Sequence, residues 1–153
     1  MNEKLVLSNS QRNKFVFATA VIITGCFLPW EMEGDFISHV THGIQIYPTF
    51  VDNGGSLILL FCFYFLALLF PSSSFTNRPT PWLLFNAISL VILSTYNIAD
   101  LWIRNIASQG IIGAPTIRFG LILMELGALA NLGLSVTLFF TQRKTLIHQE
   151  NQP

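Results

Sequence analysis

Apolar residues gather into four long runs separated by shorter polar stretches. The clearest run is the last, residues 119–142, FGLILMELGALANLGLSVTLFFTQ, with 24 residues and one charge, Glu125. As a helix it is long enough to cross a bilayer, which takes about 20 mostly apolar residues. Its Gly120, Gly127 and Gly133 are the expected packing points, because small residues let membrane helices approach closely. The first run, 15–30, is shorter and holds Pro29, which cannot donate a backbone bond, so a helix should end near Leu28. Trp30 then falls where an interfacial tryptophan is expected. The second run has an aromatic-rich core at 57–70, closed by Pro71; such a face packs on lipid or protein more readily than on a pigment or quinone. In the third, Thr80 reads as N-cap and Pro81 as the first helical residue. Trp82 and Trp102 mark its two ends, about 30 Å apart at 1.5 Å per residue. Pro115 precedes the fourth helix, and the tail after Gln142 should fray. The pattern therefore predicts spans at about 15–30, 55–70, 81–103 and 116–141.

Between the first two spans, residues 31–54 are polar and acidic, with Glu31, Glu33, Asp35 and Asp52 and no lysine or arginine. FISHV and IQIY flank Thr41, His42 and Gly43, which predicts a β-hairpin. The expected fold is all-α transmembrane: a single domain, a four-helix membrane bundle with a short extracytoplasmic β-hairpin loop. Four spans place both termini on one side, and basic residues choose which. Lys4, Arg12, Lys14, Arg78, Arg143 and Lys144 fall on the terminal side, against Arg104 and Arg118 on the other. That predicts a multi-pass protein of the cell (cytoplasmic) membrane with both termini cytoplasmic.

Composition agrees. Of the 153 residues, 52% are hydrophobic and 10% charged, against about 25% charged in a soluble domain. Zero net charge gives no reason to expect nucleic acid. Cys26 and Cys62 lie inside apolar runs, without metal or redox spacing, and read as small buried residues. No cleavable signal is expected, since Ala18–Ala20 lies inside the first apolar run.

Candidate chemistry is sparse. Asn86, Ser89, Asn97, Asp100 and Arg104 share one side of the third helix, a seam that should face protein rather than lipid. Asp100 and Arg104 are spaced to pair along the helix. Glu125, about two turns into the last span, needs shelter. Antiparallel register places it level with Tyr96 and Asn97, either of which offers a hydrogen bond. Asn97, Asp100, Arg104, Glu125 and Asn131 thus form the expected intramembrane polar cluster. Gly127, Asn131 and Ser135 make a second, small face of the last helix, expected against span one or two. His39 and His42 would sit on opposite faces of a strand, a poor metal site, so no metal and no cofactor is expected. No nucleophile elbow, phosphate loop, zinc-protease motif or nucleotide fingerprint occurs. The expectation is a non-enzymatic accessory or scaffold subunit, with the lipid bilayer and other membrane subunits as partners. The alternative is a small proton-coupled transporter or channel using Glu125 with Asn97 and Asp100.

Short matches support a resemblance. They are Gly25-Cys-Phe-Leu-Pro-Trp30, the β-rich outer loop, Asn53-Gly54-Gly55, Tyr96-Asn-Ile-Ala-Asp100 and the glycine-spaced last helix. In these the chain resembles small uncharacterised bacterial four-helix integral membrane proteins. Its topology is also similar to that of claudin-type tetraspans, without their paired loop cysteines. The resemblance implies a tetraspan fold and brings no activity.

Overall fold

Ser8 begins the first helix with a reciprocal cap: its hydroxyl accepts from Gln11 N at 3.2 Å, and Gln11 Oε1 accepts from Ser8 N at 3.1 Å. This capping box starts α1 (Asn9–Phe27) six residues before the apolar run. The computed structural model describes residues 7–33, 40–45, 51–52, 54–69, 79–107 and 115–150. After α1 come β1 (Pro29–Glu33), β2 (Val40–His42), β3 (Ile44–Gln45), β4 (Val51–Asp52), α2 (Gly55–Leu69), α3 (Pro79–Ala107), β5 (Pro115–Ile117) and α4 (Phe119–Glu150). α1 packs on α2 and α4, and α3 packs on the same two helices.

Two helical segments, Thr80–Arg104 and Phe119–Lys144, are long and apolar enough to cross a membrane. α2 has 15 residues, about 22 Å at 1.5 Å per residue, against a hydrocarbon core of roughly 30 Å. α1 carries Arg12 and Lys14 in its first two turns. The core falls into two clusters. One holds Ile22, Cys26, Trp30, Cys62 and Met124, and the other Phe15, Phe65, Leu83 and Leu138. Neither cysteine is in a disulfide, and both are fully buried.

Several local expectations are corrected. Residues 40–42 and 44–45, the described part of the hairpin expected over 36–47, do not pair with each other. β2 pairs with β1, which also pairs with β5, giving a three-stranded antiparallel sheet in the order β2-β1-β5. β3 pairs with β4 instead. Gly43 is therefore a pivot between two sheets rather than a hairpin turn, and its carbonyl accepts from Gly55 N at 3.2 Å. Pro115 belongs to β5, an edge strand where its missing donor is harmless. Thr80 lies inside α3 and caps nothing; its hydroxyl donates to Gln142 Oε1, joining the start of α3 to the far part of α4. The tail stays helical to Glu150, since RKTLIHQE contains no glycine or proline. After β4, Gly54 takes φ 92°, a value that favours glycine.

Trp30 is enclosed by protein, 4% exposed. It is the extra residue where the β1–β2 register shifts between Pro29 and Glu31, and such bulges re-aim a side chain. Its Nε1 donates to Gly25 O at 2.8 Å. In a continued helix that carbonyl would accept from residue 29, but proline has no N–H. Glycines make room for the ring. A Cβ on Gly43 would lie 2.2 Å from Trp30 Cζ2, and one on Gly120 would lie 2.6 Å from Leu28 O and 2.8 Å from Trp30 Cδ1.

The α1–α4 contact is equally tight. A Cβ on Gly25 would stand 2.7 Å from Gly120 O, and one on Gly127 would stand 2.8 Å from Ala18 O. Gly133, expected as a packing point, has nothing within 4 Å of such a Cβ and faces open space. These glycines should respond oppositely to substitution. Gly127→Leu should cost at least about 1–3 kcal/mol, the usual scale of overpacking. Gly133→Ala should be neutral or stabilise by up to about 1 kcal/mol through helix propensity. Reversible unfolding in mixed detergent micelles reads both, and equal losses would contradict the α1–α4 geometry.

Candidate functional site

α3 and α4 run antiparallel, and Glu125 faces α3. Its Oε2 accepts from Ser94 Oγ, and its Oε1 accepts from Thr95 Oγ1 at 3.1 Å. Ser94 is fully buried, Thr95 is exposed and Glu125 is part-buried, so the carboxyl group lies at the outer edge of the α3–α4 seam. The expected partners are displaced by one to three residues. Tyr96 is 67% exposed. Asn97 Nδ2 donates at 2.9 Å to Leu93 O of its own helix. The short hydroxyls of Ser94 and Thr95 lie on the side of α3 that meets α4, one to three residues before the longer polar groups that drew the expectation.

The predicted five-residue cluster is thus divided. Asp100 and Arg104 form an ion pair at 3.0 Å with both side chains about half exposed, worth about 0.3–0.5 kcal/mol for such a helical pair. Asn131 turns to α1, where its Nδ2 donates to Thr19 Oγ1 at 3.1 Å; Thr19 in turn donates to Phe15 O at 2.8 Å. Gly127 sits against Ala18 and Ile22 of α1, so Gly127 and Asn131 share one partner helix. Gly120 belongs to the Trp30 slot. Asn86, first in the α3 seam, is fully buried and donates at 3.0 Å to Phe61 O of α2. Ser89 bonds only Phe85 O of its own helix.

Thr19, Ser94 and Thr95 carry interhelical contacts that the sequence reading missed. Each is a short hydroxyl side chain within an apolar run, where bonding to the preceding turn is the ordinary expectation. Three further acceptors, Asn86 Oδ1, Asn131 Oδ1 and Ser135 Oγ, are buried with no hydrogen-bond partner. Among the described residues no group of His, Cys, Asp and Glu is placed to hold a metal. His39, and the side chain of His42, lie outside the described residues.

A concavity lies elsewhere among the described residues. A groove of about 1100 Å³ runs along the outer side of the α1–α4 contact. Phe17 and Val21 line one wall, Leu126, Ala130 and Gly133 the other, and Lys14 stands near one end. Its walls carry no carboxylate, so Glu125, Asn97 and Asp100 do not open into it.

Two pairs of substitutions separate useful polar contacts from idle ones. Thr19→Val should cost about 1–3 kcal/mol by leaving Asn131 Nδ2 buried without an acceptor. Ser135→Ala removes a hydroxyl that has no partner and should cost nothing or stabilise. A Ser94→Ala/Glu125→Gln double-mutant cycle should give a coupling near 0.6 kcal/mol and below about 1.7 kcal/mol. Zero coupling in that cycle would remove the Ser94–Glu125 contact from the account. No family model, no curated protein and no solved structure matches the chain.

Proposed function

We propose that the chain is a non-enzymatic, four-span integral membrane protein that serves as an accessory or scaffold subunit of a membrane complex. The observation that carries this reading is how the polar groups of the helices are used. Glu125 closes on Ser94 and Thr95, Asn131 on Thr19, Asn86 on a carbonyl of α2, and Asp100 on Arg104. Each contact ties helix to helix or turn to turn, and none of these polar side chains lines the groove between α1 and α4. Hydrogen bonds between membrane helices act in this way as glue. Large apolar side chains face outward on all four helices, among them Phe17, Phe63, Phe85, Ile92 and Leu126, as lipid or a neighbouring subunit requires.

The membrane is the cell membrane and both termini are cytoplasmic in this proposal, supported by the basic residues on the terminal side. Cysteine introduced at Ser10 or Lys144 should react with a membrane-impermeant maleimide only after the cytoplasmic side is opened. The native Cys26 and Cys62 are buried and should stay silent. Labelling in intact cells would reverse the orientation.

Gentle detergent extraction followed by native mass measurement tests the subunit role. The expected result is an assembly heavier than one chain that includes other membrane proteins; a stable lone monomer would sink the proposal. A transporter working through Glu125, Asn97 and Asp100 would need those groups to converge. Reconstituted Glu125→Gln protein should accordingly show the same pH-dependent flux as the parent, and a lost flux would favour transport.

A further inference from the structure

The groove between α1 and α4 changes character along its length. At one end its lining is Ser10, Asn13 and Lys14; the remainder is Phe17, Ala18, Val21 and the apolar and small residues of α4. We infer that it binds one anionic phospholipid, with the headgroup phosphate at Lys14, Asn13 and Ser10 and an acyl chain along the trough floored by Gly127 and Ala130. The inference rests on the membrane reading above.

Length supports it first. The Thr19–Asn131 hydrogen bond fixes those two residues at one level. Ser10 lies nine residues from that level on α1 and Leu123 eight residues on the other side along α4. At 1.5 Å per residue the groove is about 26 Å long. A bilayer of roughly 40–45 Å including its headgroups gives about 20–22 Å per leaflet. The trough is a few ångströms longer than one leaflet and far shorter than a whole bilayer, which suits one lipid better than a ligand crossing both. Its volume of about 1100 Å³ lies just above the range of ordinary ligand sites, which run to about 1,000 Å³.

Charge supports it second. Arg12 and Lys14 of α1 and Arg143 and Lys144 of α4 all lie at the Ser10 end of the helices. The only acidic side chains described, Asp100 and Glu125, lie nearer the opposite end. Arg143 holds its guanidinium over the Phe139 ring, 5.3 Å from the centroid. Lys14 is the cation that lines the groove, the other three lie toward the same end of the helices, and no carboxylate lines the groove. Lys14 itself is exposed, and its ammonium suits a phosphate as a point charge. The terminal side is the proposed cytoplasmic side, whose leaflet carries the anionic lipids.

Gly133 makes the inference testable without harming the fold. It lines the groove, yet a Cβ there meets nothing within 4 Å. Leucine at this position should fill the trough and leave the α1–α4 contact alone. The experiment uses delipidated full-length protein, titrated with phosphatidylglycerol and phosphatidylcholine of identical acyl chains and read by native mass spectrometry. The parent should retain phosphatidylglycerol preferentially. Lys14→Gln should lower that preference about fivefold, the effect expected of one basic residue near anionic lipid. Gly133→Leu should reduce retention of both lipids while the unfolding midpoint stays within that of the parent. Equal retention of the two lipids by the parent, or undiminished retention by Gly133→Leu, would overturn the site. Alkaline carbonate extraction separates this failure from the larger one. A chain that stays in the membrane but shows no preference overturns only the lipid site, whereas a chain released by carbonate overturns the membrane reading as well.

Discussion

The hydrogen bond from Trp30 Nε1 to Gly25 O holds together three parts of the chain that are remote in sequence. Pro29 ends α1 and removes the donor that the Gly25 carbonyl would have had. A buried carbonyl left in that state costs about 1–3 kcal/mol. Trp30 supplies the missing donor from its side chain, and to do so it must fold back over the helix end. That placement needs glycine at 43 and at 120, because each approaches the indole closer than a side chain allows. The Trp30 carbonyl accepts from Arg118 N at 3.0 Å, which fixes the start of α4. One proline thus determines where the outer sheet and two helices meet.

From that junction α1 and α4 stay close along their length. Gly25 faces Gly120 at one level and Gly127 faces Ala18 at the next, with Thr19 and Asn131 bonded one turn further on. In lipid, apolar helices gain nothing by hiding from water, so close backbone packing and interhelical hydrogen bonds must supply the association. α4 divides these tasks around its circumference. Gly127 and Asn131 meet α1, Glu125 meets α3, and Gly133 and Ala130 are left outward along a groove.

How much of this the sequence discloses depends on the type of signal. Helix number and approximate extent follow from apolar runs, because burial against lipid or protein constrains whole stretches. The end of α1 follows from Pro29 alone. The Ser8–Gln11 capping box was equally legible and moves the helix start ahead of its apolar run. Strand pairing was not legible. Residues 40–42 pair with a segment beginning at Pro29 and not with their sequence neighbours, since the bulge at Trp30 draws β1 into the middle of the sheet. The partner of Glu125 was legible to within a few residues. Helical register gave the level, but the angular position of Ser94 and Thr95 decided the contact, and long polar side chains were the wrong lure. Gly133 shows the same limit from the other side: spacing marks a small residue but not whether a neighbour stands over it.

If α1 crosses the membrane as proposed, the shortness of that span finds a physical account in the same junction. From Phe15 to Phe27, α1 offers 13 apolar-side residues, about 20 Å at 1.5 Å per residue. Beyond Phe27 the chain is extended, with Leu28 at φ −85° and ψ 159°. Residues 28–30 add about 10 Å at roughly 3.3 Å per residue. The sum is about 30 Å, the thickness of a hydrocarbon core. Non-helical backbone at membrane depth is tolerated only where protein buries it. Here β2 and β5 flank β1, Arg118 N bonds the Trp30 carbonyl, and the Trp30 ring is enclosed. In the four-span reading, a helix of ordinary length would have ended at lipid. The proline instead hands the crossing to an extended segment, and the tryptophan that follows it closes the gap.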